Sequence, residues 1–155
     1  MEKTDIQGFM NTHTEQIFET MFSMRVEAAP EVVLGQKAER VSGSVGFGGD
    51  QVNGAVYLHL PARFAALLAA CMLGTEPQSL TEAEINDVVG ELTNMLAGGL
   101  KSWLSDSGRP CAGSTPAVIR GASFAIEAPE GIERLCLGFS SGANRFTVEV
   151  HFKQG

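Results

Sequence analysis

Asp87, Glu91 and Asn94 stand at i, i+4 and i+7 within TEAEINDVVGELTNMLAGGLKSWLS, residues 81–105. On a helix of 3.6 residues per turn this spacing carries all three side chains to one side within two turns. Several chemistries are open to such a row. Two carboxylates one turn apart can form an acid/base pair, but a glycosidase-type pair faces itself across a cleft rather than stacking on one convex helix. They can form half of a metal site, but a metal needs further ligands, and His13, His59 and His151 are scattered with no HExxH-like grouping. A carboxamide can also orient a water for in-line attack on a phosphoryl group. A neighbouring carboxylate can then fix register by pairing with a lysine or arginine of a phosphoprotein. A site of that kind works by insertion into a partner and needs a protruding helix, not a pocket. The plainest alternative is an ordinary solvated helix face.

The helix that must carry these residues is well marked. Thr81 and Glu84 form a capping box, and Leu80 and Ile85 a hydrophobic staple. Ile85, Val88, Val89, Leu92, Met95, Leu96, Leu100 and Trp103 fall on the face opposite the row, which continues through Gly98 to Lys101. Gly90, Gly98 and Gly99 interrupt the helix body, each costing roughly 0.8–1 kcal/mol relative to alanine. A bare backbone therefore has some use here. Gly99 points coreward, where a second helix can pack close, and Gly98 lies on the polar face, where a partner can approach.

Around that helix, a first amphipathic helix is expected over residues 6–23. A short strand follows at Met24–Ala28, within a stretch running to Leu34 and interrupted at Pro30. Strands at 40–47 and 52–60 flank Gly48-Gly49-Asp50, which is hairpin-turn chemistry. Pro61 is suited to open the next helix, which Gly74 ends. After the central helix, residues 105–114 read as loop and 117–120 as a strand. A second hairpin, 132–140 and 145–152, turns at Ser141–Asn144. The order helix, strand, hairpin thus occurs twice, with an extra helix between. The expected fold is α+β: a mostly antiparallel sheet with two long helices packed on one face, pseudo-duplicated, as a single domain over residues 1–155.

Composition narrows the function classes. The chain has 155 residues, 44% hydrophobic and 19% charged, with a net charge of -7. The acidic balance opposes binding to nucleic acid or to an anionic membrane. No apolar run is long enough for a transmembrane helix, and the N-terminus lacks the form of a signal peptide. Cys71, Cys111 and Cys136 show no CxxC spacing, which fits a reduced, cytoplasmic setting with no zinc site. Nucleophile-elbow, Walker A and dinucleotide motifs are missing, and the three histidines read as surface or strand residues.

Asp87-x3-Glu91-x2-Asn94, set in DVVGELTNMLAGGLK, resembles the site motif of the CheC/CheX/FliY group of chemotaxis phosphatases, nearest to its CheX-like branch. Pro116 resembles the motif's proline, one residue closer to the asparagine than in the family pattern. Residues 41–49 resemble the family's first hairpin, and Ala70–Gly74 the end of its middle helix. The resemblance implies a phosphatase for the aspartyl-phosphate of a CheY-like receiver domain. Asn94 would orient the water, Glu91 would contact the receiver's lysine, and Asp87 would support them. The receiver would bring the Mg²⁺, so the chain would need no metal or cofactor of its own. The branch implies a homodimer formed through the sheets. Some relatives carry a second motif on the first helix, where this chain has Glu15-x3-Glu19-x2-Phe22. A phenyl ring cannot orient water, so a single site is expected. The alternatives are a non-catalytic interaction module of the same fold and, more remotely, a small-ligand sensor, for which no pocket signature exists.

Overall fold

The computed structural model describes residues 1–30, 38–122 and 124–155. Helix α1 spans Lys3–Phe22, and Ser23 closes it in the left-handed region (φ 48°), its N–H bonded to the carbonyls of Glu19 and Phe18. That turn uses up residues expected to be extended, so strand β1 is only Glu27–Ala29; positions 31–34 of the expected stretch lie outside the described residues. The first hairpin is β2 (Arg40–Gly48) and β3 (Val52–Pro61). Pro61 is the last strand residue and the N-cap of α2 (Ala62–Leu73), not its first helical position: its ψ of 140° is still extended. Gly74, at φ 65°, closes α2 as expected. Helix α3 runs Glu82–Asp106, one residue past its expected end, and the supposed loop after it includes a two-residue strand β4 (Ala112–Gly113). Strands β5 (Ala117–Gly121), β6 (Glu133–Ser141) and β7 (Asn144–Gln154) complete the chain. The β6–β7 turn places Gly142 at φ 58°, a conformation glycine adopts without strain.

The seven strands form one antiparallel sheet in the order β1-β6-β7-β3-β2-β4, with β5 also on β2. This order makes the duplication concrete. The two hairpins meet back to back at β3 and β7. Each half then lends its single strand to the other: β1 pairs with the second hairpin's β6, and β5 with the first hairpin's β2.

One sheet face is apolar. Val41, Val45, Val56, Leu58, Leu60, Leu135, Leu137, Phe139, Phe146, Val148, Val150 and Phe152 are buried there, beneath α1 and α3 with α2 alongside. The face follows from the period-2 alternation of the hairpin strands. Within α3, Ile85, Val88, Val89, Leu92, Leu96, Leu100 and Leu104 are buried, so the predicted apolar stripe is the one that packs. Trp103 is only half-buried, stacked on Phe9 at 5.3 Å between ring centroids.

Close approach of α3 to the sheet depends on Gly43. A Cβ there would overlap the Thr93 hydroxyl and stand 2.9 Å from the Thr93 Cβ and 3.2 Å from the Val89 carbonyl oxygen. Gly99 does the same toward α1, because a side chain at that position would strike the ring of His13. The imidazole of His13 bonds the Met95 carbonyl at 3.2 Å, in the turn beside Asn94.

Candidate functional site

Helix α3 starts from a complete capping box. The Thr81 hydroxyl accepts from the Glu84 N–H at 3.1 Å, and the Glu84 carboxylate accepts from the Thr81 N–H at 3.0 Å. These bonds hold the Glu84 carboxyl below the usual carboxylate value. With its start fixed and its inner face buried, α3 carries Asp87, Glu91 and Asn94 outward, and all three are exposed. None makes a hydrogen bond or ion pair with another described residue. Their donors and acceptors are free for a partner.

Beside them runs an open groove of about 570 Å³ between α3 and the start of β5, lined by Asn86, Asp87, Gly90, Glu91, Asn94, Pro116 and Val118. Gly90 is buried and forms its floor: a Cβ there would sit 3.6 Å from both Pro116 and Val118, so anything beyond alanine would fill the groove. The sheet holds the opposite wall in place. Ser114 bonds Gly46 twice, N–H to carbonyl at 2.8 Å and Oγ to N–H at 2.8 Å, and β5 is registered along β2. Arg120 ties β5 to the start of α3, with Glu39 at 3.2 Å, Glu82 at 3.7 Å and Asn86 at 3.4 Å.

Of the five residues singled out from sequence, Asp87, Glu91, Asn94 and Pro116 therefore come together around one groove. Gly98 does not line it. It sits one turn further along α3 with nothing within 4 Å of where a Cβ would be. Asn86 is the lining residue the helical row did not pick out: one position from Asp87, it is rotated about 100° toward β5, and only the neighbouring strand reveals its place.

The helix-free sheet face holds a second polar cluster. Ser42 Oγ lies 2.6 Å from His59 Nδ1, and His59 Nε2 lies 3.0 Å from Glu149. Glu149 also accepts from His151 Nε2 at 2.9 Å and from Arg134 Nε at 3.0 Å. The sequence suggests that the histidines are surface or strand residues. Both of these are in strands, but neither is at the surface, with His59 2% and His151 4% exposed. Period 2 tells which face a side chain takes and not whether that face is covered. Here Arg40, on the same face, stacks on the Phe124 ring at 3.9 Å and donates to the Phe124 carbonyl. Burial alone would push the Glu149 carboxyl up. Hydrogen bonds from His59, Arg134 and His151 outweigh it and draw the carboxyl down to about 2. Burial and the same negative charge push the Tyr57 phenol up. Ser42, His59 and Glu149 spell out a nucleophile triad in composition. With Ser42 only 2% exposed, a substrate cannot reach the hydroxyl, and the cluster is a buried polar network that joins β2, β3, β6 and β7.

The family model described as "Chemotaxis phosphatase CheX" matches residues 41–140. The solved chemotaxis protein CheX of Vibrio vulnificus is 29% identical, with a TM-score of 0.81 over 94% of this chain and 95% of that one. A CheC-like superfamily protein from Shewanella sp. PV-4 is 28% identical, with a TM-score of 0.83 over 98% and 99%. The CheX of a CheX–CheY–BeF3–Mg²⁺ complex from Borrelia burgdorferi shares the fold at 21% identity, with a TM-score of 0.74 over 96% and 97%. No curated protein gives a match. The chain belongs to the CheX family of chemotaxis phosphatases.

Proposed function

We propose that this CheX-family protein hydrolyses the aspartyl-phosphate of a CheY-like receiver domain and so ends a two-component or chemotaxis signal. The observation that carries the reading is the exposed, unpartnered Glu91/Asn94 pair on a helix whose other face is locked in the core. Asn94 inserts beside the phosphoaspartate, and its carboxamide hydrogen-bonds a water in line with the bond to be broken. The water oxygen bonds to phosphorus, the phosphorus–oxygen bond to the aspartate breaks, and inorganic phosphate and a free carboxylate result. The proton of the water leaves with phosphate or to solvent. Glu91 pairs with the receiver's lysine and sets the register. Asp87 supports that contact from one turn away, Pro116 forms the far wall of the groove, and Gly98 lets the receiver's surface approach. The divalent cation would be the receiver's own; the related Borrelia burgdorferi structure is a complex of CheX with CheY, BeF3 and Mg²⁺. The protein would work beside its receiver in the cytoplasm as a homodimer. Among the described residues no helix is long and apolar enough to cross a membrane.

The test is phosphate release from a phosphorylated receiver. Wild type should accelerate it, and Asn94→Ala should abolish the acceleration while unfolding at the wild-type temperature. Glu91→Ala should weaken receiver binding as well as turnover. Receiver binding with unchanged phosphate release in wild type and Asn94→Ala alike would replace the phosphatase with a non-catalytic interaction module.

A further inference from the structure

The groove has two ends, and the proposed chemistry uses only one. Asn94 stands at the C-terminal end and Asn86 at the N-terminal end, eight residues or about 12 Å apart along the helix. Asn86 is half-buried, and its carboxamide has a fixed orientation. The atom 3.4 Å from Arg120 Nη2 must be the oxygen, because a guanidinium only donates. Arg120 is itself bonded to Glu39 at 3.2 Å, with Glu82 3.7 Å from its Nε. The amide nitrogen is therefore the part left for the groove. Among the described residues no hydrogen bond reaches it. The one other carboxamide of the lining, Asn94, is taken by the proposed chemistry; Asp87 and Glu91 only accept, and Gly90, Pro116 and Val118 are apolar in their side chains.

We infer that Asn86 is a further partner-binding residue, whose N–H donates to a hydrogen-bond acceptor on the receiver at a point about 12 Å along α3 from Asn94, with Arg120 as the positioning residue that aims it. The inference rests on the phosphatase reading for the identity of the partner. Its contribution is to docking: Asn86 is too far from the reacting atoms to touch the water or the phosphoryl group. A receiver lacking an acceptor at that distance would be discriminated against, which makes Asn86 a determinant of receiver choice.

The test compares wild type, Asn86→Ala and Asn86→Asp in steady-state dephosphorylation of a CheY-like receiver. Both variants put a side chain no larger than asparagine at this half-buried position, and a thermal melt checks that they fold. Losing one hydrogen bond to a partner should raise KM about three- to tenfold with kcat within about twofold. Asn86→Asp should be no better than alanine, since a carboxylate cannot donate. In Arg120→Gln the KM effect of Asn86→Ala should shrink, because the amide is no longer aimed. Unchanged KM in both Asn86 variants overturns the inference, and so does a fall in kcat at constant KM. Titration of the same variants against a receiver carrying BeF3 and Mg²⁺ separates the two readings. Absent phosphate release in wild type overturns the phosphatase. A weaker fit of Asn86→Ala in that titration would still support the contact, and an unaltered one would overturn it.

Discussion

Replacing Gly43 with alanine tests whether the sheet sets the position of the site. Gly43 lies in the middle of β2, paired with Leu58 on one side and Val118 on the other. A methyl group there would overlap the Thr93 hydroxyl and stand 2.9 Å from the Thr93 Cβ, about half an ångström inside ordinary contact. Thr93 has no easy escape. It is fully buried, and its hydroxyl is bonded to the Val89 carbonyl at 2.7 Å. The hydroxyl must rotate away, breaking that bond, and α3 must still lift by about half an ångström to clear the Thr93 Cβ. Overpacking of this kind costs about 1–3 kcal/mol. Alanine recovers roughly 0.5–1 kcal/mol over glycine in a strand, which leaves a net loss centred on about 1 kcal/mol. For a chain of this length that is a fall of roughly 2–4 °C in Tm. Thr93 is the residue before Asn94, so the same displacement moves the carboxamide. If a 1 Å error costs about a hundredfold, half of it should lower kcat by about tenfold. The assays are thermal melts and phosphate release from a receiver. In a double-mutant cycle, Gly43→Ala with Thr93→Ala should lose less than the sum of the single losses, because the second change removes the overlapping hydroxyl. Wild-type Tm and kcat in Gly43→Ala, or strict additivity in the cycle, would refute the reasoning.

Two further perturbations probe separate parts of the molecule. Glu149 has a folded pKa of about 2 against an ordinary 4.5, so its stabilisation is fully present above about pH 4.5 and is lost as pH falls toward 2. At about 1.4 kcal/mol per unit it amounts to roughly 3–4 kcal/mol. Urea midpoints between pH 2 and 7 should show this acid limb in wild type and a flatter one in Glu149→Gln; parallel profiles would remove Glu149 as its source. Gly98→Leu should leave the melting temperature unchanged or raised, since nothing lies within 4 Å of the added Cβ and leucine is the better helix former. It should weaken receiver binding severalfold, and an unaltered titration would mean that Gly98 is not there for docking.

The parts of the fold written in short-range pattern were legible. Thr81 and Glu84 announced the start of α3, Gly48-Gly49-Asp50 a hairpin, and Gly74 the end of α2, because each signal needs only neighbours along the chain. What was not legible depends on neighbours across the sheet. No local feature of Glu27–Ala29 or Ala117–Gly121 says that each pairs with the hairpin of the opposite half. The His59–Glu149–His151 network was invisible for the same reason, since its members are separated by as much as 92 positions, from His59 to His151, and meet only because β3 and β7 are adjacent. The site divides along this line too. Asp87, Glu91 and Asn94 share one helical row and could be read off it, and Pro116 came through resemblance to the family motif. Asn86 needed Arg120, brought in by β5.

The exchange of strands between halves also bears on why one helix carries the chemistry. By the pseudo-symmetry of the sheet, α1 stands to the second hairpin as α3 stands to the first, and it presents Glu15 and Glu19 in the corresponding row, both exposed. Where α3 has Asn94, α1 has Phe22, half-buried with its ring centroid 5.4 Å from that of Phe18. Phe18 in turn stacks on Phe146 at 4.7 Å, in the centre of the core. The position proposed to orient water on one helix thus belongs, on the other, to the aromatic packing that fastens α1 to the sheet. A carboxamide there would be drawn out of that stack toward solvent. The two helices differ at this one position: α1 is bound to the core from Ile6 through Phe18 and on to Phe22, whereas α3, secured by Gly43, Gly99 and its capping box, can leave a whole polar row unpaired.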